Sequence, residues 1–332
     1  MKKSIFFVLT VIMFALLISQ TSLASNDTIV WKYHMFAAED EPLGLAAQEF
    51  LCDEVYKRTD GGLKIERYPS AILGGERDVV QSVQDGAVEV MMITSAMLST
   101  FVPEFKFLDL PFIFNDKEHF ERFTASEEWQ ELKSKTEEYG IKVMDTQPLG
   151  FRIPTFRIEP VRSVEDFEGI KMRTMESEVQ IDTMQALGAT PVTIPYPEIY
   201  NSLRTKVVDG QMNDALAIQR LSIPEVAPHL TNLPLFISVQ NVSISKIAFE
   251  RLPAEYQEIV EQVFSEGFPK TCQVAYDDNI EVLKDLAINE FKTVTNIFDI
   301  TPFREAAQPV YDKLIEKYPT TEEYIRVIDS LR

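Results

Sequence analysis

Hydrophobic and polar positions along this chain alternate in blocks of two different periods. Val30-Trp31-Lys32-Tyr33-His34 alternates with the two-residue period of a strand, and apolar residues then recur at helical spacing from Glu41 to Thr59 until Gly61-Gly62 ends the run. Leu63 to Tyr68 predicts a second strand and Gly75 to Gln84 a helix. Val88 to Thr94 predicts an apolar strand, and Lys117 to Tyr139 helices that stop at Gly140 before a strand at Ile141 to Thr146. Strands alternating with helices in this way predict a largely parallel sheet covered on both faces.

The pattern then restarts. Ser163 caps a short turn, followed by strand Ile170 to Met175, helix Ser177 to Leu187, strand Thr190 to Ile194, helix Glu198 to Lys206 and strand Val207 to Met212. Pro224 and Pro228 break the next helical stretch, and Phe236 to Ser245 reads as another strand. Ala254 to Phe291 is mainly helical and Thr293 to Phe298 extended, with Thr301 and Thr321 placed to cap two closing helices. There is no Gly/Ser-rich linker and no internal repeat, so ordered chain is expected to join the two α/β units through several crossings.

The amino terminus changes the compartment. Lys2 and Lys3, the apolar run Ile5 to Ile18 and the small-residue site Ser22-Leu23-Ala24 follow the plan of a secretory leader, predicting a signal peptide at residues 1–24 and a free periplasmic protein. The run is shorter than the roughly 20 residues of a spanning helix, and no Cys near the cleavage point offers a lipid anchor. Losing Lys2 and Lys3 leaves 30 basic against 52 acidic residues, taking the formal charge from −20 to −22. Such a surface repels nucleic acid and anionic lipid, and an anionic ligand would need a locally basic pocket. The 308 residues after Ala24 favour two domains. Cys52 and Cys272 either pair in an oxidising compartment or serve as buried thiols, the second being favoured because each falls in a helical pattern.

Several motifs, in order, resemble the solute-binding subunits of tripartite ATP-independent periplasmic (TRAP) transporters. They are Tyr68-Pro69-Ser70 with Leu73-Gly74-Gly75-Glu76-Arg77, Val102-Pro103-Glu104 with Leu108-Asp109-Leu110-Pro111-Phe112, Gly150-Phe151-Arg152, and Gly169-Ile170-Lys171-Met172-Arg173. Leu187-Gly188-Ala189-Thr190-Pro191, Glu198-Ile199-Tyr200 and Val208-Asp209-Gly210-Gln211 complete the set, which covers nearly the whole chain after the leader. The resemblance implies a type II periplasmic-binding-protein fold: two α/β lobes around a cleft, multiple hinge crossings and a long late helix. The lobes it implies are 25–149 plus about 239–278 and 150–238 plus about 279–332. It further implies capture of a small organic acid and delivery to a membrane permease pair, by a monomer without cofactor or metal.

The same resemblance makes Arg173 the carboxylate anchor. Read alone, Arg173 lies near the carboxyl end of a strand, where ligands bind in open α/β sheets, and a guanidinium offers two parallel donors to a carboxylate. An exposed strand arginine, or one paired with Glu165 or Asp166, is the alternative. Arg152 aligns with a second pocket arginine, or else makes a hinge salt bridge. Asn213 aligns with a carboxylate-binding asparagine, although Met212 and Asp214 depart from the family's Glu-Asn-Pro, and an Asn after a strand is often a turn residue. Tyr196 aligns with an aromatic against the ligand, or lies on the lobe surface beside Pro195 and Pro197. The first lobe is expected to supply His34, Met35 and Phe36, Glu76 at a helix start, and Thr94 with Ser95. Thr94 stands where sialic-acid-binding relatives carry an acid, which argues against that ligand, while Met35, Phe36 and Met97 make the tail pocket fairly apolar.

Two other classes fit less well. An exported hydrolase would need a motif such as Gly-x-Ser-x-Gly or His-Glu-x-x-His, neither of which occurs, and His34, His119 and His229 are too scattered for a metal triad. A sensory module would normally be fused to a membrane helix.

Overall fold

The computed structural model describes residues 28–332, so the expected leader at residues 1–24 lies outside the described residues. The first half runs β1 (Ile29–His34), α1 (42–58, with a π-helical turn at Gln48–Asp53), β2 (Leu63–Tyr68), α2 (Glu76–Gln84), β3 (Val90–Thr94), α3 (Ser95–Leu98), α4 (Lys117–Thr124), α5 (Glu127–Lys135) and β4 (Ile141–Phe156). Then follow β5 (Lys171–Thr174), α6 (Glu178–Ala186), β6 (Thr190–Thr193), α7 (Ile199–Arg204), β7 (Gly210–Asn213), α8 (Ala215–Arg220) and β8 (His229–Asn232). The chain closes with β9 (Phe236–Ser245), α9 (Lys246–Glu250), α10 (Ala254–Asp285), β10 (Thr293–Asn296), α11 (Thr301–Lys317) and α12 (Thr321–Ser330).

Local chemistry sets the helix starts. Thr94, Asp116, Ser126, Ser177 and Asp214 each accept a backbone N–H in the first turn of α3, α4, α5, α6 and α8, satisfying a donor that the helix leaves free. Thr301 and Thr321 do not cap as expected. Both are the first helical residue; Asp299 accepts the Thr301 N–H at 2.9 Å, and the Thr321 hydroxyl donates to the Tyr318 carbonyl at 2.6 Å.

The strands form one path, β2-β1-β3-β9-β4-β7-β5-β6, with β8 on β4 and β10 on β8. β1, β2 and β3 are mutually parallel, as are β5, β6 and β7, but β9 and β4 run antiparallel to their neighbours between them. The sheet is therefore mixed rather than largely parallel. The reason lies in β4, which is 16 residues long: its first part pairs with β9, and Ile153 to Phe156 pair with β7. The strand thus starts in the first lobe and ends in the second. Helix α10, with 32 residues and a length of about 48 Å, makes the third crossing. Its Phe264, Phe268 and Cys272 lie in the core under β1, while Asn279 accepts the Leu216 N–H of α8 at 3.1 Å. Two α/β lobes with several crossings and a long late helix are the architecture the sequence led us to expect.

Each lobe has a core on both faces of its strands. In the first, Met91 and Ile93 face an aromatic cluster including Phe105, Phe107, Phe120 and Trp129, and Val90 and Met92 face the cluster of Tyr33, Leu51 and Phe264. Cys52 and Cys272 are free thiols buried in this second cluster, and burial pushes the Cys52 thiol up to about 12. The second lobe packs Phe156, Phe167 and Met172 on one side and Ile153, Ile199 and Ile218 on the other. The closing segment does not sit wholly in the second lobe, as residues 279–332 were expected to. β10 extends that lobe through β8 and α11 lies on α6, but α12 returns to the first lobe. There Tyr324 stacks on Phe107 with centroids 5.1 Å apart, and His119 Nε2 lies 2.8 Å from the Ile328 carbonyl. The apolar face of α12, with Tyr324, Ile325 and Ile328, packs into that aromatic cluster.

Candidate functional site

The second lobe presents two buried guanidinium groups from different strands. Arg173, in β5, is 3% exposed and donates from Nε to the Ile194 carbonyl at 2.8 Å. Its Nη groups make no protein hydrogen bond, and it forms no ion pair among the described residues. Glu165 and Asp166 are not its partners: Asp166 accepts the Arg162 and Ser163 N–H groups instead. Arg152, in β4, is 4% exposed and donates from Nη1 to Asn213 Oδ1 at 2.7 Å. Asn213 Nδ2 donates to Gln211 Oε1 and Gln211 Nε2 to Thr155 Oγ1, each at 2.8 Å. The chain of donors holds Arg152 in place through neutral groups, and the buried Asp109 carboxyl lies near enough to feel its charge. Burial first, and the nearby Arg152 charge second, bring the Arg173 guanidinium down to about 9, with the Glu76 charge acting the other way.

The first lobe brings some of its expected residues to this place and keeps others back. Glu76, the first residue of α2, accepts the Thr94 N–H at 3.0 Å and the Thr94 hydroxyl at 3.3 Å, so the two act together. Thr94 in turn accepts the Met97 N–H at 3.2 Å. Ser95 is turned into a buried polar cluster between the long strands, its hydroxyl accepting from Asn241 Nδ2 at 2.9 Å while Asn241 Oδ1 accepts from Thr146. Met35 has no exposed surface and packs in the first-lobe core, so it stands behind the cleft rather than on it. His34 is buried at the end of β1, its Nδ1 lacks a partner, and burial lowers its pKa to about 4. It is therefore neutral at pH 7.

Phe36 and Tyr196 meet through a residue that sequence reading missed. Arg220, at the last turn of α8, places its guanidinium 5.6 Å from the Phe36 ring centroid and donates from Nη1 to the Tyr196 hydroxyl at 3.2 Å. It also pairs with Glu41 of the first lobe, Nε to Oε1 at 2.7 Å and Nη2 to Oε2. A second ion pair between lobes joins Arg77 Nε to Glu176 Oε2 at 2.9 Å. Gln240, on β9 opposite Thr94, is 2% exposed with its Oε1 unpartnered. Nothing local in the sequence singles out Arg220, Glu41 or Gln240. Among the described residues no His, Cys, Asp and Glu cluster could hold a metal, and no helix is long and apolar enough to cross a membrane.

Over residues 33–318 the chain matches the family described as bacterial extracellular solute-binding protein, family 7. It is 30% identical over 298 residues to the C4-dicarboxylate-binding periplasmic protein DctP of Rhodobacter capsulatus, with 89% of each chain covered. A TRAP periplasmic solute-binding protein from a Polaromonas species, bound to D-erythronate, superposes with a TM-score of 0.84 at 28% identity, covering 90% of this chain and 98% of that one. One from Haemophilus influenzae with bound L-gulonate has a TM-score of 0.87 at 23% identity over 92% of this chain and 100% of that one, a likeness of fold.

Proposed function

The chain belongs to the bacterial extracellular solute-binding protein family 7, and on that premise we propose that its cleft captures a small hydroxylated monocarboxylate, unchanged, for delivery to a TRAP membrane permease. The observation that carries this reading is the pair of buried guanidinium groups, Arg173 and Arg152, neither of which hydrogen-bonds or ion-pairs with an acid among the described residues. A buried charge is costly unless it is paired, and a carboxylate matches the two parallel donors that a guanidinium offers. Arg173 is the anchor in this reading, Arg152 and Asn213 its support, and Tyr196 with Phe36 the walls. The leader at residues 1–24 takes the chain to the periplasm, and the chain works as a monomer.

Charge narrows the ligand. Glu76 beside Arg173 and the buried Asp109 beside Arg152 already answer part of the arginines' charge, which favours a ligand with one carboxylate over one with two. A second carboxylate on the ligand would approach Glu76, whose charge is already felt at Arg173. Glu76, Thr94 and the neutral His34 suit hydroxyl groups. A thermal-shift panel of D-erythronate, L-gulonate and succinate tests this. The hydroxy acids should stabilise the protein, by about 2.7 kcal/mol at 100 times the dissociation constant, and succinate should not unless Glu76 is replaced by Gln. Stabilisation of the native chain by succinate alone, or conversion of a bound acid to another compound, contradicts the reading.

A further inference from the structure

Resting on the acid-binding reading of the same cleft, we propose that Glu41 and Arg220 form a clasp between the lobes that sets how fast a captured acid escapes. Arg220 leaves α8 of the second lobe and Glu41 precedes α1 of the first, so their two-point contact exists only while the lobes are together. Neither residue joins any other ion pair among the described residues. Arg220 also covers both walls of the chamber, lying over the Phe36 ring and donating to the Tyr196 hydroxyl. Opening the cleft therefore uncovers the ligand and takes two hydrogen bonds to Glu41 and the Phe36 ring face from one guanidinium in a single movement, while the bond to Tyr196, within the second lobe, stays.

Exposure decides which interlobe pair matters. The side chains of Arg220 and Glu41 are 20% and 28% exposed, against 44% and 48% for Arg77 and Glu176; Lys106 and Glu178, 9% and 30% exposed, also bridge the lobes, but through one contact at 3.4 Å with Glu178 shared with Lys317. Pairs as open as Arg77 and Glu176 contribute little, whereas close pairs shielded from solvent are coupled more strongly. Burial works to lower the Arg220 pKa, and the Glu41 carboxylate with the Tyr196 hydroxyl more than offsets it, so the group stays charged. A contact made only in the closed form slows release and leaves capture from the open form nearly unchanged.

Release and association rates of D-erythronate and L-gulonate, together with hydrogen exchange of the ligand-free protein, test the clasp in the native chain, Glu41→Gln, Arg220→Gln, and the reversed pair Glu41→Arg with Arg220→Glu. Each single variant should release acid about three to ten times faster, tenfold being about 1.4 kcal/mol, with association within about twofold of native. The reversed pair, which restores the ion pair but not the cation over Phe36 or the donor to Tyr196, should release acid more slowly than either single variant, which a merely structural role for either side chain would not produce. Singles within about 1.5-fold of native, or a reversed pair as fast as the singles, overturn the proposal. If neither acid binds the native chain, the acid reading has failed and exchange alone judges the clasp. Faster exchange in residues 215–220 on replacing Glu41 in the opposite lobe supports it, and unchanged exchange there overturns it.

Discussion

Two buried groups, His34 and Asp145, carry opposite proton demands. His34 titrates at about 4 instead of 6.5 because burial disfavours its charged form, while burial raises Asp145 from 3.8 to about 6, opposed by its bond from Gln147. Between pH 4 and 6 the unfolded chain therefore binds the His34 proton and the folded chain does not, so this contribution to stability is lost as pH falls from about 6.5. For Asp145 the folded chain keeps a proton that the unfolded chain releases, so its contribution is lost as pH rises from about 4 to 6. Each amounts to at most about 3 kcal/mol, and in the native protein they nearly cancel. Urea denaturation across this window should show stability climbing with pH in Asp145→Asn and falling with pH in His34→Gln. If both variants keep the native slope, the two groups do not titrate as burial dictates. At this scale the sequence made Arg173, Arg152, Asn213, Tyr196 and Glu76 legible because they sit inside motifs or at strand and helix ends. Arg220 and Glu41 were not, since a pairing across 179 residues leaves no local pattern.

The elements that join the lobes were the hardest to read. Strand β4 was expected to stop at Thr146, yet it runs through Pro148 and Gly150 to Phe156. Its pairing with β9 shifts register between Val143 and Asp145 and again between Pro148 and Gly150, and these irregularities accommodate a proline within a sheet. Gly150 has φ +146°, and a Cβ there would lie 2.1 Å from Asn279 Nδ2 of α10. Asn279 cannot simply swing away, because its Oδ1 holds the Leu216 N–H of α8. Gly150 is thus where all three crossings of the chain meet. Gly150→Ala should cost about 1–3 kcal/mol, read as a lower denaturation midpoint at unchanged slope. Adding Asn279→Ala should recover part of that loss. A change below about 0.5 kcal/mol would mean that the contact is not tight. Strand β9 and helix α10, by contrast, were legible from a strand-like run at Phe236 to Ser245 and a long helical period.

For the whole molecule, the balance of charge and the architecture point the same way. A chain with 52 acidic and 32 basic residues nevertheless buries two arginines that make no ion pair among the described residues. Retaining them against both desolvation and mutual repulsion makes sense if an anion completes the site. The lobes are joined by the crossings of β4, β9 and α10, the plan in which hinge closure around a ligand is usual. The bilobal plan was legible from two successive α/β patterns. The return of α12 to the first lobe was not, because its apolar face fits either lobe until the aromatic cluster around Phe107 is in place.

The central claim is that Arg173 anchors a carboxylate between the lobes, and calorimetric titration of the native protein and Arg173→Lys tests it most directly, using the acid that stabilises the native chain most. An ammonium keeps the charge but cannot make the paired, coplanar contact. Leaving a buried charge unmatched costs about 3–5 kcal/mol, so affinity should fall by about a hundredfold to several thousandfold while circular dichroism shows the fold intact. Binding by folded Arg173→Lys within about threefold of the native protein would contradict the account.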